Sequence, residues 1–236
     1  NQSYLIGIDI GTSACKVALF DRSGCVLAAA NGDYPVYYPK EGWAEQNPEE
    51  WWSAVCGAVR QVIEEASVAP EEIAGVGIDG QSWSAIAIDR NGHVLTNTPI
   101  WMDTRAQSIC DRLNEEIGAE AIFEVAGNSL QPSYATAKIL WYKENLPEVY
   151  AKIDKILQSN SFIAFKLTGA VSQDLSQGYG LHCFDMRTGK WNEAMCEKLG
   201  IPVEFLPEIV PCDHVVGTVT KKAAEECRSE EHTSEL

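Results

Sequence analysis

A chain of 236 residues with 45% hydrophobic and 22% charged residues has apolar material for one large or two small domains with a sizeable core. Its 18 basic against 34 acidic residues give a formal charge of -16 without any Lys/Arg block. That sign is wrong for a phosphate backbone and excludes nucleic acid as a natural partner.

The apolar runs, such as Val17 to Phe20 and Ile153 to Leu157, fall far short of the ~20 residues a membrane helix needs. No charged region precedes an apolar signal segment, so no membrane partner is expected and the cytosol is the expected location. In chain order, Tyr4 to Ile10 is a β-rich apolar run ending in the polar turn Asp9-Ile10-Gly11-Thr12-Ser13, and Cys15 to Phe20 resumes the strand pattern. A second turn at Asp21-Arg22-Ser23-Gly24 leads into Cys25 to Ala30, which predicts three consecutive antiparallel strands before any helix. A Rossmann domain would instead pass from its first strand directly to a helix.

Asn47-Pro48-Glu49-Glu50 predicts a helix start: a side-chain cap, a proline at the first position, and carboxylates at the positive end of the dipole. Trp51, Trp52, Val55, Val59, Val62 and Ile63 mark its apolar face. Ile73 to Asp79 reads as a buried strand, Trp83 to Ile88 as another, and Asp89-Arg90-Asn91-Gly92 as the turn into Val94-Leu95. The order is therefore βββαβ followed by a hairpin. Helices are predicted near 104–117, 119–126, 134–145, 159–167 and 191–199, with Gly169 ending the fourth. Together these give one α/β domain over residues 1–227 with a helical insertion. Residues 228–236, RSEEHTSEL, lack apolar periodicity and resemble a translated sequencing adapter, so they are set aside as a non-native tail.

Eight cysteines without a C-x-x-C pair read as reduced, buried thiols, although Cys15, beside the glycine turn, could be reactive. Asp9-x-Gly11-Thr12-Ser13-x-x-Lys16 at a strand-turn-strand junction suits phosphate. Glycine lets backbone amides approach the oxygens, two hydroxyls add donors, Lys16 adds charge, and Asp9 can hold a water-coordinated Mg²⁺. The same residues also suit a plain hairpin turn.

The start resembles the first phosphate motif of the actin, Hsp70 and sugar-kinase superfamily, in which two related domains clasp ATP. Later segments resemble the FGGY carbohydrate kinases in particular, xylulose kinases among them. These are Trp43-Ala44-Glu45-Gln46-Asn47-Pro48-Glu49-Glu50-Trp51-Trp52, Gly77-Ile78-Asp79-Gly80-Gln81, Ile100-Trp101-Met102-Asp103-Thr104-Arg105, and Ser133 to Asn145 centred on Lys138 and Trp141. Leu167-Thr168-Gly169 with Asp174, then Phe184-Asp185 and Trp191, follow in the family's order. The resemblance implies a ribonuclease-H-like α/β fold with a mixed sheet, and ATP and Mg²⁺ as cofactors. It further implies a small-molecule sugar or polyol as substrate, a carboxy-terminal kinase domain as partner and, at full length, room for a homodimer.

Gln81 at a strand end offers a donor and an acceptor to vicinal hydroxyls, with Ser82 beside it, and Trp83 and Trp101 offer flat faces for sugar C–H groups. Asp103 can accept hydroxyl bonds, pair with Arg105, or cap the following helix. Trp51, Trp52 and Trp141 read as core, and His93, His182 and His214 receive no role. Xylulose kinases usually continue from the glutamine with Met-His-Gly, whereas Ser82-Trp83-Ser84 stands here. The family's catalytic aspartate lies in a G-G-x-D-N-like segment soon after the stretch resembling Val216 to Thr220, and the sequence holds no such segment. The expectation is thus the amino-terminal part of a sugar kinase, without its base and inactive alone. A non-catalytic sugar-binding module and an Hsp70- or actin-like ATPase are the alternatives.

Overall fold

The computed structural model describes residues 3–228. Strands β1 (Tyr4–Ile10), β2 (Ala14–Asp21) and β3 (Val26–Asp33) form an antiparallel meander in which Asp9 lies opposite Lys16 and Cys15 opposite Gly32. Side chains alternate across a sheet, so Ile6, Ile8, Ile10, Cys15, Val17 and Leu19 all enter one buried face. The short β4 (Glu45–Gln46) precedes α1 (Pro48–Ala66). Asn47 Oδ1 accepts the Glu49 N–H at 3.0 Å, and Pro48 occupies the first turn, as the residue types predict. Trp51, Trp52, Val55 and Val62 are buried in the core that α1 forms with the sheet.

Strand β5 (Ile73–Gly80) joins β1 in parallel, giving the order β3-β2-β1-β5 and completing βββαβ. Two strand expectations need correction. β5 is not buried: it is an edge strand with no fully buried residue, and Val76, on the face of Ile6, and Gly77, on the opposite face with Gly7, are both exposed. The strand expected over Trp83 to Ile88 shrinks to β6 (Ile86–Ile88), because Trp83 has φ +74°, which extended backbone cannot accommodate. The turn after it forms as expected, with Gly92 N–H on the Asp89 carbonyl at 3.0 Å and Leu95 N–H on that of Ala87 at 3.0 Å.

The remaining elements are β7 (Thr98–Pro99), which pairs with β4, then α2 (Gln107–Leu113), a π turn over Asn114–Gly118, α3 (Ala119–Ala126), α4 (Ala135–Asn145) and α5 (Pro147–Tyr150). They continue with β8 (Lys155–Leu157), antiparallel to β6, α6 (Ser159–Thr168), β9 (Ser172–Asp174) and α7 (Leu175–Gly178). The hairpin β10 (Phe184–Asp185) and β11 (Lys190–Trp191), then α8 (Glu193–Leu199), β12 (Glu208–Val210) and α9 (Lys221–Arg228) complete the chain. Gly169 ends α6 with φ +78°, the left-handed cap expected of it.

One core lies between the sheet and helices α1 and α6, and a second gathers α2, α4 and α8. Arg228, assigned from sequence to the tail, closes α9. The rest of that tail lies outside the described residues.

Candidate functional site

The β1–β2 hairpin is built around Gly11. Its N–H donates to the Ala14 carbonyl at 3.0 Å, and a Cβ here would come within 2.8 Å of that same oxygen, so only glycine fits. The turn is held from behind through its carbonyls. Tyr34 O–H donates to Gly11 O at 2.5 Å, Gln46 Nε2 to Thr12 O at 2.6 Å, and Tyr34 N–H to Ser13 O at 3.2 Å. Ser13, Lys16 and Asp9 are exposed around it. Cys15 points the other way: it is fully buried and burial pushes its thiol up to about 11, so the reactive role considered for it does not hold.

Residues expected at the sugar and residues expected at the phosphate meet in this structure. Gln81 Nε2 donates to Gly11 O at 3.2 Å and to Gln46 Oε1 at 2.8 Å. Trp101 Nε1 donates to Thr12 Oγ1 at 3.0 Å while its side chain stays 43% exposed. Ser159, the first residue of α6, clasps the Gln81 carbonyl with its hydroxyl at 2.6 Å. Ser82 is partly buried between Gln81 and Trp83.

Trp83 is fastened at both ends of its peptide unit. Its N–H donates to Gln158 Oε1 at 3.0 Å, and its carbonyl accepts from Lys138 Nζ at 2.9 Å. Lys138 also donates to Ile100 O at 2.9 Å and Ser133 O at 2.7 Å, so one buried ammonium ties together the segments carrying Trp83, Trp101 and Tyr134. Tyr134 packs on the Trp83 ring at 4.4 Å between centroids, and Tyr179 meets that ring edge-on at 6.1 Å.

Asp103 corrects an expectation. Only 1% exposed, it is buried and fully engaged by neighbouring donors. Oδ2 accepts the Ala44 N–H at 2.7 Å, Arg105 Nε approaches both oxygens at 3.1 and 3.0 Å, and Arg105 Nη2 lies 2.9 Å from Oδ2. Oδ1 also accepts the Arg105 N–H at 2.9 Å, closing the turn before α2; with these bonds and the Arg105 pairing no acceptor is left for a hydroxyl, and α2 itself starts later than predicted, with Ala106 at its cap position and no side-chain cap. Arg105 in turn lies over the Trp43 ring at 3.9 Å and the Trp141 ring at 4.9 Å, so Trp141 serves as a half-buried cation–π surface more than as deep core.

At the sheet end, Asp9 and Asp79 are register partners on adjacent parallel strands. Burial raises the Asp79 pKa, and the charge of Asp9 and a hydrogen bond to it raise it further. Two adjacent carboxylates are a hard oxygen donor set that suits a divalent cation taking its remaining ligands from water or phosphate. Among the described residues no group of three or more ligating side chains gathers at one point. A depression of about 610 Å³ between β3 and α1 lies behind the hairpin and shares Tyr34 with it as a wall.

Reading residue types missed Gln46, Asp79, Tyr134, Gln158 and Tyr179, and saw Lys138 only as the centre of a familiar stretch. Gln46, Asp79 and Tyr134 lie within the segments that carried the resemblance, which was the available signal; Gln158 and Tyr179 gave none.

A family model described as the FGGY family of carbohydrate kinases, N-terminal domain, matches residues 4–232. A xylulose kinase of Bacillus subtilis is 30% identical over 94% of this chain and 44% of its own length. A glycerol kinase of Carboxydothermus hydrogenoformans is 31% identical over 92% of this chain and 45% of its own length. The crystal structure of a xylulose kinase from Rhodospirillum rubrum superposes with a TM-score of 0.89 at 26% identity, over 95% of this chain and 46% of that one. The chain thus spans about 45% of the length of these relatives and shares their ribonuclease-H-like fold with its mixed sheet.

Proposed function

Because the chain belongs to the FGGY family of carbohydrate kinases, we propose that it forms the sugar-binding half of an ATP-dependent kinase acting on a hydroxyl of a ketose or polyol such as xylulose. The observation that carries this reading is the direct hydrogen bond from Trp101 Nε1 to Thr12 Oγ1 at 3.0 Å, with Gln81 Nε2 on Gly11 O at 3.2 Å. Phosphoryl transfer needs the acceptor hydroxyl and the γ-phosphate side by side, and in-line positioning accounts for most of its catalysis.

In this reading Trp101 and Trp83 give the sugar's C–H faces an apolar bed, and Gln81 orients hydroxyls toward the hairpin. Gly11, Thr12 and Ser13 receive the terminal phosphate, with Lys16 supplying positive charge close by. Asp9, through water, and Asp79 beside it would hold Mg²⁺, which when bound offsets phosphate charge. A base for the acceptor hydroxyl and the adenine site belong to a carboxy-terminal domain such as the longer relatives have room for. The chain on its own then binds sugar with negligible turnover, in a cytoplasmic setting.

Calorimetric titration of the chain with D-xylulose, L-ribulose, glycerol and erythritol tests this. At least one should bind, and Trp101→Ala should abolish that binding; heat-silent titrations for all of them would sink the assignment. A coupled ADP-release assay showing ordinary kinase turnover by this chain would refute the need for a second domain.

A further inference from the structure

Three of the five buried side-chain polar atoms that lack a partner among the described residues are Gln81 Oε1, Trp83 Nε1 and Gln177 Oε1. A buried polar atom without a hydrogen bond costs free energy, and several at one place call for a missing partner. These three belong to residues knotted together. Gln177 Nε2 donates to the carbonyl of Gly80, the residue before Gln81, at 3.2 Å. Gln158 bridges the other two segments, taking the Trp83 N–H on Oε1 at 3.0 Å and donating from Nε2 to the Gln177 carbonyl at 2.7 Å. Trp83 holds φ +74° against the preference of any side-chain-bearing residue, and this bridge and Lys138 are what keep it there.

We infer that Gln177 is a specificity residue: with Gln81 Oε1 and Trp83 Nε1 it reads the hydroxyl pattern of an uncharged polyol, beside the aromatic rings of Tyr134 and Tyr179. The inference rests on the sugar-binding reading above and names what selects within it. Two acceptors and one donor match hydroxyls, which both give and accept hydrogen bonds. They do not match a carboxylate. The cations nearest in the network are committed elsewhere, Lys138 to three carbonyls and Arg105 to Asp103 and Glu45. Tyr134 and Tyr179 also touch one another edge-on at 6.3 Å, so the two rings and Trp83 form one aromatic cluster that carries the orphaned Trp83 N–H.

The test is calorimetric titration of the unaltered chain, Gln177→Met, Trp83→Phe and Trp101→Ala with glycerol, erythritol, D-xylulose, 1,2-propanediol and gluconate. Met keeps the length of Gln and removes its acceptor; Phe keeps a ring and removes the N–H. A site built around a hydroxyl rejects the analogue that lacks it. The expected result is about tenfold weaker binding of the preferred polyol by Gln177→Met and by Trp83→Phe. Both should also lose discrimination between glycerol and 1,2-propanediol, and gluconate should give no heat with any of the proteins. If both variants keep the original affinity and discrimination while Trp101→Ala loses binding, this inference falls and the sugar-binding reading stands. Gluconate binding as tightly as a polyol overturns the uncharged class. Absence of any polyol binding by the unaltered chain overturns both readings. Should Trp83→Phe fail to fold by circular dichroism, Gln177→Met decides alone.

Discussion

Lys138 Nζ lies 2.9 Å from the carbonyl oxygen of Trp83, and with that one bond α4 reaches into the loop between β5 and β6. The same ammonium takes the carbonyls of Ile100 and Ser133, so each of its three protons has an acceptor. Burial pushes the pKa of Lys138 down to about 7, and the charge of Asp103 opposes that. Replacing Lys138 by Met leaves three buried carbonyls unpaired and frees the Trp83 and Trp101 segments. We expect a loss of about 3 kcal/mol in urea denaturation, together with polyol affinity reduced as far as in Trp101→Ala. Unchanged affinity in a folded Lys138→Met protein would show that the knot does not organise the site.

His182 sets a pH dependence. It is fully buried, Nδ1 lies 2.6 Å from Thr136 Oγ1, and Nε2 lies 3.0 Å from the Ser129 carbonyl. The neutral ring satisfies both neighbours when Nε2 carries the proton and Nδ1 accepts from the hydroxyl. Burial depresses its pKa from 6.5 to about 4. The unfolded chain therefore binds the extra proton first. This contribution is whole above pH 6.5 and disappears as pH falls toward 4, a loss of about 3 kcal/mol. Asp79, whose pKa is raised, acts in the opposite sense at the acid end of that window. The readout is accordingly the difference between the unaltered chain and His182→Gln in denaturation series at pH 7, 6, 5 and 4. A constant difference across the series would contradict the assignment.

What could be read from sequence, and what could not, follows from the range of the interactions. The β1–β2–β3 meander and the start of α1 were legible because alternation, turn chemistry and the Asn47-Pro48 cap act within a few residues of one another. The hairpin residues were legible as a candidate for the same reason, while their contact with Gln81 and Trp101 came only through the family resemblance. Asp103 stayed open among three roles because the Ala44 N–H that fixes it lies 59 positions away. Lys138 gave no physical signal, since a buried lysine is tolerated only where separate segments bring carbonyls to it. The burial of β5 was misread because an apolar strand has the same composition whether or not a second layer covers it.

Ser67 offers a change that should act on stability alone. It caps α1 with φ +52°, a conformation that costs a side chain and suits glycine. Ser67→Gly should raise the denaturation free energy by about 0.5–1 kcal/mol and leave polyol titrations untouched. A destabilised Ser67→Gly protein would mean the serine hydroxyl contributes more than the strain it carries.

The sheet face opposite α1 predicts how the chain behaves at high concentration. Gly7 and Gly77 are register partners there, Leu5 pairs with Gly75, and these residues, with Phe20 and Val76, line a depression of about 430 Å³. Leu5 and Leu27 are each 45% exposed, and neighbouring Val26 is 57% exposed. A contiguous apolar surface of this kind favours association, and the chain's net charge of -16 opposes it. Salt screens that repulsion at the ~10 Å scale of 0.1 M ionic strength without weakening apolar contact. Light scattering should therefore show a mass that rises with protein concentration and rises further with added salt. Leu5→Asp combined with Leu27→Lys should restore a monomer, since both side chains stand free of the buried core and the fold does not depend on them. Monodisperse monomers of the unaltered chain at high protein and salt would show that the exposed face has too little adhesive area to hold two copies together.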